Sequence, residues 1–144
     1  MATVSYGLKI TEAYHIFDKT IKIYRNAVHY ISDIAIRHFD ELKSLESITG
    51  DDGKVIISAQ QRRQQKMERL IHSTENNDAV YKRFDKEFYK FPSYLRRDAI
   101  NTSIGLMLSY RSQLQNWENG GKHGCRPYLN RNQNTMPCFY RNNT

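Results

Sequence analysis

The stretch TEAYHIFDKTIKIYRNAVHYISDIAIRHFDELKSLES, residues 11–47, decides the fold class. Its apolar side chains fall at Tyr14, Phe17, Ile21, Tyr24, Val28, Ile31, Ala35, Leu42 and Leu45, with His38 the only polar residue at the expected spacing. Steps of three and four over these positions line them up on one stripe of an α-helix. Thr11 has the side-chain oxygen to cap it. At 1.5 Å per residue such a helix reaches roughly 50 Å, too long for a small domain to cover unless other helices run along it. A helical bundle is the expected architecture.

Working outward, Gly50-Asp51-Asp52-Gly53 ends this helix in a turn, and Lys54-Val55-Ile56-Ile57 is a short apolar run. Ser58-Ala59-Gln60-Gln61 has the capping-box form and opens a second helix that turns Met67, Leu70 and Ile71 inward. Asn76-Asn77-Asp78 breaks that pattern and can cap a short third helix with Tyr81, Phe84 and Phe88 on one side. Phe91-Pro92-Ser93 resets the chain, because proline disfavours helix in the residue before it and serine caps well. The fourth helix then runs from about Tyr94 to Glu118 on the stripe Ile100, Ile104, Met107, Leu108, Leu114 and Trp117, and Asn119-Gly120-Gly121 stops it.

The two ends read differently. Val4, Tyr6, Leu8 and Ile10 alternate with small or polar residues, which is a strand pattern. Helix periodicity is absent from Lys122 onward, and Met136-Pro137-Cys138-Phe139-Tyr140 resembles the start of a second strand. The expectation is a mainly α fold: about four helices over residues 11–121, inserted between short strands of a small β-module built from 1–10 and 122–144.

The chain has 144 residues, 39% hydrophobic and 12% aromatic, enough to bury a core in one domain. Three Pro and seven Gly argue against a many-turned β-sandwich. No run approaches the roughly 18 to 20 apolar residues of a membrane span, and Met1 to Ile10 has neither signal-peptide nor transit-peptide character. A cytoplasmic protein is expected, with Cys125 and Cys138 as reduced thiols, since neither a CxxC pair nor a zinc set is present.

Charge is unevenly placed. Lys and Arg number 22 against 15 Asp and Glu, a formal charge of +7. Residues 1–57 carry seven basic and eight acidic side chains, 58–119 eleven and seven, and 120–144 four and none. A positive C-terminal half points to a polyanionic partner, with nucleic acid the leading class.

Catalysis finds little support. Asp51 and Asp52 sit in a turn, while Asp78, Asp85, Glu87 and Asp98 read as caps or solvated faces rather than as a converging metal site. The five histidines, His15, His29, His38, His72 and His123, show no metal-ligand spacing, and no phosphate loop or nucleophile elbow occurs. No enzyme, no metal and no cofactor is expected of this chain by itself. Binding has better candidates. Arg62, Arg63, Lys66 and Arg69 recur at helical spacing as a phosphate-facing stripe. Arg96, Arg97, Asn101 and Arg111 offer guanidinium and amide groups for base edges or phosphates, unless Asp98 takes a neighbouring arginine. Tyr110 can stack on a base, although its spacing with Met107 and Leu114 also suits a core position; the same is true of Trp117. Lys122, Arg126 and Arg131 extend the positive surface into the tail.

The run Phe91-Pro92-Ser93-Tyr94-Leu95-Arg96-Arg97-Asp98-Ala99-Ile100-Asn101-Thr102-Ser103-Ile104-Gly105, with Ser109-Tyr110-Arg111-Ser112 and Trp117-Glu118, resembles the N-terminal region of TnpB-type transposon-encoded RNA-guided nucleases, relatives of type V CRISPR effectors. Arg126-Pro127-Tyr128-Leu129 and Met136-Pro137-Cys138-Phe139-Tyr140 are similar to the stretch where that family re-enters its first β-module. The resemblance implies a wedge-like, oligonucleotide-binding type of β-module with an inserted recognition lobe. It implies guide RNA, an RNA–DNA heteroduplex and a target-adjacent DNA motif as ligands, with the remaining nuclease domain or a full-length homologue as a protein partner. The family's RuvC-like carboxylates and zinc ribbon have no counterpart in these 144 residues. Two rivals stand beside this reading: a helical interaction module dimerising through the long first helix, and an enzyme of unrecognised type.

Overall fold

Tyr24, Val28, Ile31, Ala35 and Leu42 are buried, so the middle of the stripe read from the sequence faces a core, joined by Ala27, Ser32 and Ile34; Phe17 at its start is instead exposed, Ile21 and Leu45 are half-buried, and Tyr14 lies outside the described residues. Tyr24 to Ala35 belong to the first helix of a computed structural model that describes residues 11, 15–130 and 135–138. The elements in order are α1 (His15–Arg37), α2 (Phe39–Lys43), β1 (Ile48–Thr49), β2 (Val55–Ile57), α3 (Ala59–Ile71), α4 (Arg83–Glu87) and α5 (Ser93–Asn119). The fold is mainly helical with one small antiparallel hairpin.

The main packing surface is α1 against α5. Tyr24 Oη donates to Asp98 Oδ2 at 2.7 Å and meets Thr102 Oγ1 at 3.1 Å, Ser103 Oγ lies 3.1 Å from the Val28 carbonyl, and Arg111 stacks over Phe39. Partners advance in the same direction along both helices, so α1 and α5 run parallel. α3 is the return leg: Arg63 near its start binds the Leu42 carbonyl, and Glu68 nearer its end binds Arg96. Ala99, Ile100, Ile104 and Met107 of α5 close the core with Met67, Leu70 and Ile71 of α3. Phe84, Phe88 and Phe91 cap one end, with Tyr30 against them.

Several boundaries differ from the sequence reading, each for a local reason. The long helix is interrupted at His38 (φ −102°, ψ 21°), where Nδ1 meets Glu41 and Nε2 meets Tyr81 Oη; α1 alone is about 35 Å long. The Val55–Ile57 run pairs with Ile48–Thr49 as a hairpin instead of merely leading into α3, and Gly53 takes the positive φ of 75° that its turn requires. Ser58 caps α3 as expected, accepting from the Gln61 amide at 3.2 Å. Asn77 serves the other end of that helix, donating to the Arg69 and His72 carbonyls, and α4 begins only at Arg83. Pro92, not Ser93, holds the N-cap position of α5. The glycine stop is a Schellman arrangement: Gly121 adopts φ 79°, and the Lys122 amide reaches back to the Trp117 carbonyl at 2.9 Å.

The expected second strand is absent from residues 135–138, which form no ladder. This segment instead straps across the helices: Arg25 Nε donates to the Thr135 carbonyl and the Cys138 amide to Asp98 Oδ2. The strand expected at Val4–Ile10 and the pair Phe139-Tyr140 lie outside the described residues. Cys125 and Cys138 are free and exposed. Among the described residues no helix is long and apolar enough to cross a membrane.

Burial, with Asp98 beside it, pushes the Tyr24 phenol well above its usual range. A folded value above the unfolded one, about 10, means this contribution is complete below pH 10 and is lost as pH rises through the folded value. Tyr24→Phe is expected to cost about 1 kcal/mol in thermal melts near neutrality and to flatten the alkaline loss of stability. Met107→Ala, which opens a hole at a fully buried site, is expected to cost about 2–5 kcal/mol.

Candidate nucleic-acid interface

Orphan carbonyls at the end of a short helix attract nearby donors, and this sets the fate of the basic stripe on α3. Arg63 Nε donates to the Leu42 carbonyl at 2.9 Å, Arg62 Nη1 to the Glu46 carbonyl at 2.8 Å, and Lys66 pairs with Glu41. Three members of the expected phosphate-facing stripe therefore clamp α2 and its following loop onto α3. The Lys66 ammonium, and after it His38, holds the Glu41 carboxyl below its usual range. Arg69 is the exception: its side chain is exposed and unpaired among the described residues.

The four polar residues expected to act together on α5 separate. Arg96 is only 8% exposed and donates twice to Glu68 Oε1, at 3.0 and 3.3 Å, as a scaffold pair. Arg97 is exposed and stands 3.7 Å from Glu68 Oε2. Asn101, one turn beyond Arg97, has a buried Oδ1 without a hydrogen-bond partner. Arg111 lies roughly 21 Å beyond Arg97 along the helix and stacks 4.3 Å above the Phe39 ring, in a separate groove with Lys43. Tyr110 and Trp117 are half-buried, and Trp117 donates to the Gly124 carbonyl. Lys122 and Arg126 are exposed on the segment after α5; Arg131 lies outside the described residues.

What the fold does bring together is Arg69 from α3 with Arg96 and Arg97 from α5. They line one open cleft of about 780 Å³, joined by Gln65, Asn76 and Asn77. Three guanidiniums share it with one carboxylate, Glu68, leaving a positive excess beside neutral amide donors. Such a surface suits oxyanions held by charge-assisted hydrogen bonds. Glu68, the one acid among the four bases of the stripe, has a role the sequence does not show, because its i,i+28 relation to Arg96 carries no local signal.

The family model with which the sequence aligns covers residues 2–144. The chain belongs to the Aq_aa04 family. No curated protein and no solved structure matches this Aq_aa04 chain. Its acidic residues are dispersed: Asp52 binds the Lys54 amide, Asp78 pairs with Lys82, Glu87 with Arg83, and Asp98 receives Tyr24 and Cys138 rather than an adjacent arginine. Asp85 meets His72 Nδ1 at 2.8 Å and the Ser73 amide at 2.9 Å. Among the described residues no group of three or more His, Cys, Asp or Glu could hold a metal ion.

The arginines of the cleft separate in a stability test. Arg96→Ala strands a part-buried Glu68 and is expected to cost about 3 kcal/mol, whereas Arg97→Ala is expected to change the unfolding free energy by less than about 0.5 kcal/mol, read by urea titration. Glu41 has a depressed folded value, so its contribution exists above the unfolded carboxylate range and is lost as pH falls through the folded value. Its exposure limits the loss, removed in Glu41→Gln, to less than about 1 kcal/mol.

Proposed function

We propose that this protein binds nucleic acid without cleaving it, gripping the phosphate backbone in the cleft between α3 and α5. The observation that carries this reading is the convergence of Arg69, Arg96 and Arg97 on one open cleft against a single carboxylate. Arg96 and Glu68 pair within it, and the exposed side chains of Arg69, without a partner among the described residues, and Arg97, on a long 3.7 Å ion pair to Glu68, are the ones that engage phosphate. Lys122 and Arg126, exposed on an acid-free segment after the far end of α5, carry the same sign of charge. Contacts of this kind supply affinity and register with little sequence preference.

The likeness of residues 91–140 to TnpB-type nucleases supports the same ligand class. In that version the chain is the non-catalytic recognition part of an RNA-guided endonuclease, holding guide RNA or an RNA–DNA heteroduplex. The oligonucleotide-binding type of β-module expected from residues 1–10 and 122–144 has no strand among the described residues of those segments, and the cleft does not depend on it. A second reading, a protein-interaction module, has its own observation: Ile48, Val55 and Ile56 of the hairpin and Phe17 of α1 are exposed apolar side chains.

A salt series of binding to single-stranded RNA, duplex DNA and an RNA–DNA hybrid tests the proposal. Affinity is expected to fall steeply between about 50 and 200 mM salt, and Arg69→Ala with Arg97→Ala to reduce the logarithmic salt slope by about 2. A salt-insensitive dimer in sedimentation, unchanged by nucleic acid, would favour the interaction module instead.

A further inference from the structure

The basic cleft does not end at Arg96. His72 and Arg96 also line a smaller pocket of about 230 Å³, whose remaining walls include Phe84, Phe88, Tyr89 and Phe91. Resting on the phosphate-binding reading, we propose that this aromatic pocket receives an unstacked base, which makes single-stranded nucleic acid the ligand class of the site.

Size supports a part-ligand rather than a whole one. Sites that enclose a small molecule usually measure about 300–1,000 Å³, and this pocket falls below that range while opening beside a polar cleft. It suits the flat, neutral portion of a ligand whose charged portion rests among arginines. The walls have the matching chemistry. Ring centroids of Phe84, Phe88 and Phe91 lie 4.9 to 5.9 Å apart, a compact aromatic cluster of which only Phe84 is fully buried. Aromatic faces take up any of the bases, because every base has a π-face.

The turn that forms the rim is the second observation. The Phe91 amide donates to the Phe88 carbonyl at 3.0 Å, closing a turn with Tyr89 and Lys90 at its centre. Lys90 adopts φ 57°, a left-handed conformation in which glycine or asparagine is the usual choice. Such strain persists only where surrounding packing enforces it, and here Phe88 and Phe91 anchor both ends of the turn. The result is a tyrosine held 77% exposed at the mouth of an aromatic pocket, with the Lys90 ammonium 5.4 Å from its ring. Tyr89 offers a stacking face and Lys90 a phosphate contact. Asp85 meets His72 Nδ1 at 2.8 Å and so fixes the ring that lines both cleft and pocket.

A paired, stacked base cannot enter such a pocket, so a duplex is confined to backbone contacts. The test compares three labelled ligands by fluorescence anisotropy: oligo(dT) of about 12 nucleotides, an abasic strand with the same number of phosphates, and a duplex of that length. Oligo(dT) is expected to bind about tenfold more tightly than the abasic strand, Tyr89→Ala to bring it to the abasic level, and Tyr89→Trp to retain the difference. Tyr89 is exposed enough for both variants to fold, which far-UV circular dichroism checks. Equal binding of oligo(dT) and the abasic strand, or preference for the duplex, overturns the base pocket and leaves the phosphate reading standing. Absence of binding to all three overturns both.

Discussion

One hydroxyl group shows how closely the two long helices meet. Ser103 Oγ bonds the Ala99 carbonyl of its own helix at 2.7 Å and lies 3.1 Å from the Val28 carbonyl of α1, with Ser103 fully buried. A side chain as short as serine reaches a neighbouring backbone only where two helices approach closely, and Ala27 and Ala99 make room for that approach. Because α1 and α5 run parallel, the chain must return between them, and α3 is that return. Its antiparallel course sets Glu68 against Arg96 and puts Arg69 beside Arg97. The cleft is thus a product of the seam.

The arginines illustrate how position divides one chemistry into two tasks. Arg62 and Arg63 satisfy carbonyls left open in α2 and the loop after it, and Arg96 is consumed by a carboxylate in a nearly closed site. Arg69 and Arg97, of the same residue type and on the same two helices, keep their guanidiniums in solvent. Exposure and the supply of unpaired acceptors make the distinction, since a donor beside an orphan carbonyl gains a hydrogen bond that water would otherwise provide. The aromatic residues divide in the same way: Phe84 is core, while Tyr89, five positions on, stands in solvent.

Periodicity and capping chemistry are local, and they carried most of the architecture. The α1 stripe from Tyr24 to Ala35, the Ser58 cap, the inward set Met67, Leu70 and Ile71, and the glycine stop after α5 were legible because each depends on residues within a turn or two. The break at His38 was not, because it answers to Tyr81, forty-three positions away. Asn77 reads as the start of a helix and serves the end of another, since an asparagine side chain can donate to whichever open carbonyls lie near it. The apparent strand at Met136 became a strap because Asp98 and Arg25 offer its backbone hydrogen bonds that no second strand supplies among the described residues.

By itself, then, the sequence determined a mainly helical chain, its inward faces and an excess of positive charge in its C-terminal half, all properties that follow from residue type and short-range spacing. Only the tertiary structure decided which cations remain available. That choice depends on the direction in which α3 runs back along α5, and on which side chains it leaves facing water. Neither is encoded in any window short enough to read, because the partners that settle it, Glu68 and Arg96 or Tyr24 and Asp98, stand 28 and 74 residues apart.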